Sequence, residues 1–275
     1  PLITSFYGVD AWMLPTTGAL WRGRLAELFA EVDLCLTEGP AMRDRLVAIG
    51  CPASKVEVVR IGADLAALPF EPRDFTPPLS VVMMARFVEK KGLPDGLRAF
   101  AKAVRRGADL QLSLIGDATD ADGERIKAEL QELARAPELA GRVTFEGFLS
   151  PVAAREILRR AHIFLCPSKH AASGDAEGGS PVALTEAMAG GLFCIGTRHC
   201  DIPELICDAE TGFLCDSGDV TGLADALLRA TRDRTAIETI CRRARQRIEA
   251  DFTIEQQTAA LAQAYARVAR ATAQC

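Results

Sequence analysis

EGGSPVALTEAMAGGLFCIGTRHCDIPE, running from Glu177 to Glu204, is the stretch on which the fold turns. It reads as a loop, a short helix, a strand and a second loop. Ser180 suits the N-cap of that helix and Pro181 its first position. Gly190 and Gly191 mark the end, and the strand 192–196 follows. Gly178 and Gly179 allow backbone to approach a ligand without a Cβ in the way. The unpaired N–H groups at the helix start suit an anion such as phosphate. Glu177 precedes the turn and Glu186 lies within the helix. A phosphate cradle flanked by carboxylates suits a ligand that carries both phosphates and hydroxyls. The same residues also fit an ordinary helix start in an α/β domain, and this stretch alone leaves both readings open.

Working outward, strand-like and helix-like segments alternate. Strands are expected at 2–6, 33–37 and 55–60, with helices at 19–32 and 40–49. Residues 65–78 show no period and hold four prolines, which reads as an interdomain linker. A βα series follows, with strands at 79–85, 109–116, 142–147 and 162–167. Its helices fall at 93–106, 122–136 and 151–161. Three helices, 221–231, 235–250 and 254–271, close the chain. Repeated βα units imply parallel sheets with helices on both faces. Ligands then sit at the carboxyl ends of the strands, where Arg86, Gly116, Gly147 and the loop 168–179 fall.

Composition narrows the function classes. The chain has 275 residues, is 49% hydrophobic and 25% charged, and carries a net charge of −5. That fits a soluble globular protein and argues against nucleic acid as a partner. No apolar run approaches the roughly 20 residues of a membrane-spanning helix. Several of the nine cysteines, including Cys35, Cys166 and Cys194, sit in apolar runs and read as reduced core thiols of a cytosolic protein. Cys200, His199 and Cys207 fit no common zinc spacing.

Three further features bear on chemistry. Arg86 and Lys91, in ARFVEKKG, place two cations after a strand, where they can clamp a diphosphate and stabilise its departing charge. A solvated basic turn beside Glu89 is the other reading. Asp120 and Asp122 form a D-x-D pair, read here as capping the helix from 122 rather than binding metal. Among the histidines, His162 reads as a satisfied core or edge residue, and His199 falls at a strand end near the expected ligand. Neither a nucleophile elbow nor a phosphate-binding Walker motif is present.

The segments ARFVEKKG, LSLIGD, RVTFEGFLS, IFLCPS, EGGSPVALTEAMAGG, DIPELI, ETGFL and SGD, in this order and spacing, resemble the retaining glycosyltransferases of family 4. The resemblance spans roughly residues 55–265. It implies a GT-B fold: two Rossmann-like α/β domains with parallel sheets. The N-terminal domain here is expected to lack its front part. The expected division is 1–62 for the rest of that acceptor-side domain, 63–78 for the linker, 79–250 for the nucleotide-sugar domain and 251–275 for a return helix.

The resemblance also implies roles. Arg86 and Lys91 would bind the donor diphosphate, and Glu177 would contact the donor sugar. Gly178, Gly179, Ser180, Pro181, Val182 and Ala183 would form the phosphate cradle, with Glu186 on the ribose. Gly147 and Phe148 would line the base. Tyr7, Gly8 and Asp10 would stand on the acceptor or sugar side. No cofactor or metal is expected, and the donor would be a UDP- or GDP-sugar. The acceptor would be a sugar or lipid-linked glycan in surface polysaccharide or glycolipid assembly. A cytoplasmic protein is implied, peripheral to the inner membrane face through the missing N-terminal part, and inactive as this fragment alone. This chain departs from the family in two ways. Glu177 and Glu186 enclose eight residues where seven are usual, and Tyr7 stands where many members have His. Two alternatives stay open: another GT-B enzyme, either a sugar-nucleotide epimerase or a phosphorylase, or a non-catalytic nucleotide-sugar-binding protein.

Overall fold

A computed structural model describes residues 1–273. The first 60 residues build a small parallel sheet from β1 (Ile3–Phe6), β2 (Leu34–Thr37) and β3 (Val56–Val58), in that spatial order. Helices α1 (Val9–Trp12), α2 (Ala19–Glu31) and α3 (Pro40–Ala48) connect them. All four residues of β2 are buried, because the central strand of a parallel sheet is covered on both faces. Phe6, Phe29, Met42 and Leu46 fill one side. The other side is covered from the far end of the chain, as described below.

The large sheet follows the expected alternation. It comprises β4 (Leu79–Met84), α4 (Leu93–Arg105), β5 (Leu110–Ile115), α5 (Ala121–Ala134), β6 (Val143–Gly147), α6 (Pro151–Arg160) and β7 (Ile163–Cys166). Then come α7 (Val182–Ala189), β8 (Phe193–Thr197), α8 (Ile202–Leu205), β9 (Phe213–Cys215) and α9 (Val220–Ala230). Helices α10 (Arg234–Asp251) and α11 (Ile254–Ala273) complete it. All six strands are parallel, in the order β6-β5-β4-β7-β8-β9. The order reverses between β4 and β7, so the crevice beyond their carboxyl ends is the natural ligand site. Two apolar clusters fill the two faces, one around Phe100 and Leu112, the other around Phe164 and Met188.

The elements missed by sequence are short. β9 has three residues, and α1 and α8 have four each, too few for either periodicity to register. The third strand is also shorter than expected, because Ala53–Lys55 form a 3-10 turn. Asp120 caps α5 by accepting from the Gly123 amide at 2.8 Å, so the first aspartate of the D-x-D pair serves as the cap, and the helix starts at Ala121, one residue earlier than read.

Residues 63–78, expected as a linker, are packed rather than loose. Leu68 and Phe75 are buried in the two large-sheet clusters. Arg73 donates to the carbonyls of Leu158, Arg159, Ala161 and Gly190, at the carboxyl ends of α6 and α7. The chain crosses between the two sheets twice, and the crossings touch. Ala63 pairs with Thr253, and a Cβ on Gly62 would fall 2.1 Å from the Thr253 carbonyl oxygen. Helix α11 then lays Ala264 and Val268 against Leu34, Leu36 and Val59, covering the second face of the small sheet.

Candidate active site

A cavity of about 340 Å³ lies at the switch point between β4 and β7. Its wall includes Arg86, Lys91, Ser168, Glu177 and Tyr7, and the first turn of α7 with Pro181, Val182 and Ala183. Thus the cations after β4, the acidic residue of the quoted stretch and an N-terminal tyrosine meet around one space. Gly92, with φ of 60°, makes this possible. A Cβ there would lie 1.9 Å from the Pro167 carbonyl oxygen, so only glycine lets the Lys91 turn press against the end of β7.

Lys91 and Glu177 are bonded to each other. The Lys91 ammonium donates to both carboxylate oxygens at 2.8 Å. Glu177 is only 5% exposed. Its Oε1 also accepts from the Ser168 hydroxyl at 2.8 Å, and its amide donates to His199 Nε2 at 3.3 Å. Burial, then the neighbouring His170, push the His199 imidazole down to about 4. A neutral ring can accept that amide hydrogen, so His199 fixes the Glu177 backbone. Beside them Lys90 holds Asp175 at 3.0 Å and the Ala176 carbonyl at 2.9 Å, which shapes the loop entering Glu177. Arg86 differs from both lysines. It is exposed and its side chain makes no hydrogen bond or ion pair among the described residues, leaving a free guanidinium on the cavity wall.

Other expected site residues stand elsewhere. Glu186 faces a second cavity of about 260 Å³, shared with Arg155, Val152 and Leu68, and burial raises its carboxyl above the usual range. Gly147 ends β6 with φ of 68°, and Phe148 is 60% exposed; neither lines these two cavities. The Asp10 carboxylate is occupied by the amides of Tyr7, Gly8 and Ala11, so it shapes the turn that presents Tyr7. His162 accepts from the Ser80 amide at 3.0 Å, as a satisfied edge residue should.

One reading of the quoted stretch needs correction. The cap of α7 is Pro181 rather than Ser180, with the helix running from Val182. The Ser180 hydroxyl instead donates to the Asp201 carbonyl at 2.7 Å, which pins the loop to α8. The glycine pair also makes room for protein. A Cβ on Gly178 would fall 2.2 Å from the Tyr7 carbonyl oxygen, and one on Gly179 would fall 2.4 Å from Glu38 Cβ. Both glycines thus admit the small-sheet loops to close contact with the cavity rim.

That contact is reinforced by an acid. Asp201 is 2% exposed and its Oδ1 accepts from the Ala41 amide at 2.8 Å, in the first turn of α3. Oδ2 has no partner. Burial, foremost, raises this carboxyl to about 6. Arg60 and Glu204 add an ion pair at 3.0 Å on the same side. Sequence reasoning missed Lys90, Ser168, Glu38 and Asp201. DIPE held a legible helix-cap signal, but nothing local says which helix the aspartate serves.

No helix among the described residues is long and apolar enough to cross a membrane. No group of metal-ligating side chains occurs among them.

The architecture is that of GT-B glycosyltransferases. It superposes with a TM-score of 0.84 on Anabaena HepE in complex with UDP and glucose, at 18% identity, covering 97% of this chain and 72% of that one. A sucrose-phosphate synthase from Thermosynechococcus elongatus matches with a TM-score of 0.81, at 20% identity, over 98% of this chain and 68% of the other. Residues 67–248 match the family Glycosyl transferases group 1, and the chain belongs to that family. Among its relatives, the amylovoran biosynthesis glycosyltransferase AmsK of Erwinia amylovora is 34% identical, over 82% of this chain and 54% of its own length. The putative colanic acid biosynthesis glycosyltransferase WcaL of Escherichia coli is 32% identical, over 96% and 64%. The chain therefore spans between about half and two thirds of these relatives.

Proposed function

We propose that this protein is a retaining family 4 glycosyltransferase that moves a sugar from a UDP- or GDP-sugar to a hydroxyl of a glycan acceptor. The observation that carries this reading is the free Arg86 guanidinium beside Lys91, facing the first turn of α7 across one cavity. Two cations and the unpaired amides of a helix start match a diphosphate in charge and donor direction. With the residues 1–62 unit on the acceptor side, the acceptor hydroxyl attacks the anomeric carbon from the face the diphosphate leaves. The sugar–phosphate bond breaks as the new glycosidic bond forms, and the departing phosphate oxygen takes the hydroxyl proton. Arg86 and Lys91 stabilise the charge that accumulates on that leaving group, so no metal is required. Glu177 is held by Lys91 and Ser168 to meet donor-sugar hydroxyls, and Glu186 binds the ribose.

The relatives named for amylovoran and colanic acid biosynthesis support a place in polysaccharide biosynthesis. The test is calorimetric titration with UDP, GDP and their sugar conjugates, without metal, on this chain and on the full-length protein. Nucleotide binding lost in Arg86→Ala and Lys91→Ala is expected, with an axial or equatorial product linkage that repeats the donor's. Inversion of that linkage, or nucleotide binding indifferent to both substitutions, overturns the reading.

A further inference from the structure

Glu38 directly follows β2, at the carboxyl end of that strand. It is half-buried and makes no hydrogen bond or ion pair among the described residues. A carboxyl that no protein group engages is available to a ligand. Gly179 packs against its stem, and the Gly179 Cβ position lies 2.8 Å from Glu38 Oε2. The side chain is therefore held in place by the opposite unit while its head stays free.

The head lines a cavity of about 110 Å³ at the carboxyl ends of the small-sheet strands. Phe6, Leu36 and Val59 give it apolar walls, and Ser5, Thr37 and Gln257 give it polar ones. Tyr7 lines both this cavity and the large one that holds Arg86 and Lys91, so the two spaces share a wall. The charged groups facing Glu38 are Glu177, Asp201, Asp10 and Lys91. Burial, then these three acids, lift its carboxyl to about 7, and Lys91 only partly opposes them. Near neutrality such a group both donates and accepts. An anion is disfavoured by the surrounding acids. A ligand with an apolar ring face and neutral hydroxyls fits both the walls and the head.

We propose that Glu38 binds a hydroxyl of the acceptor sugar in the cavity beside Tyr7. This inference rests on the glycosyltransferase reading above. Glu38 is then a specificity-determining residue on the acceptor side, distinct from the residues that hold the donor.

The test uses the full-length protein carrying this chain, with Glu38→Gln and Glu38→Ala. The probes are octyl β-D-glucoside and octyl β-D-galactoside, observed by saturation-transfer NMR with UDP or GDP present. Wild type is expected to transfer saturation to a glycoside ring. Glu38→Ala should weaken that contact about tenfold, the worth of one well-made hydrogen bond. Glu38→Gln should retain most of it, and nucleotide affinity should not change in either variant. Wild-type glycoside affinity should also vary between pH 6 and 8, and that dependence should vanish in Glu38→Gln, which decides the matter if the alanine variant does not fold. Nucleotide binding with no ring contact in wild type, or ring contact indifferent to both substitutions and to pH, overturns the inference alone. No nucleotide binding in wild type overturns the donor reading, and the inference with it.

Discussion

Asp201 Oδ1 accepts the amide hydrogen of Ala41 at 2.8 Å, joining residues 160 positions apart across the two sheets. The bond works as a helix cap supplied from the other half of the molecule, and the burial of the carboxyl that makes it, which outweighs the bond's own downward pull, gives the closed arrangement a pH dependence. The Asp201 carboxyl is raised from 3.8 to about 6. The folded, closed state therefore binds the proton more tightly than the open or unfolded chain. Its contribution is fully present below about pH 4 and is lost as pH rises through about 6. Asp201→Asn keeps an oxygen for Ala41 and removes the titration. The melting temperature of wild type relative to this variant should fall between pH 4 and 7. A constant difference across that range would show that Asp201 does not titrate there.

Lys91 and Arg86 should separate stability from binding. Lys91→Ala leaves the Glu177 carboxylate buried with Ser168 as its remaining side-chain partner, and should cost about 3 kcal/mol in urea unfolding. A Lys91→Ala, Glu177→Gln double variant should recover part of that loss, because the uncompensated charge is gone.

Arg86→Ala removes an exposed, unpaired side chain and should change stability by less than about 0.5 kcal/mol. Transfer should nonetheless fall by about a hundredfold or more. A large stability loss in this variant would mean that the guanidinium has a structural partner.

Gly179→Ala should hold the two units apart. The new Cβ would meet Glu38 Cβ at 2.4 Å, far inside contact distance. Small-angle scattering should give a larger radius of gyration than wild type, with nucleotide affinity at Arg86 and Lys91 retained. An unchanged radius would show that Glu38 yields instead.

How much of this was legible in the sequence follows from the reach of each signal. β4 to β8 announce themselves as apolar runs between amphipathic helices, and Arg86 and Lys91 follow a strand end by a few residues. Those patterns are local. The glycines at 178 and 179 were also visible, but their partners Tyr7 and Glu38 belong to another sheet, so a ligand was the natural guess. Asp201 reads as a cap in isolation, yet the helix it serves begins at Pro40. Glu38 carries no motif at all, and its unusual carboxyl arises from burial first and then from acids contributed by three separate segments. The switch point was readable, and the face opposite it was not.

Arg73 has one further consequence. Its guanidinium fastens 63–78 to the ends of α6 and α7 through four carbonyls, in addition to that of Glu71. The segment thus belongs, mechanically, to the large-sheet half. A chimaera exchanging acceptor halves between relatives should be spliced at Gly62 rather than at Pro78, with Thr253 and Gln257 drawn from the same parent as the incoming small sheet. A junction placed after Arg73 would import a foreign strap and leave those carbonyls bare.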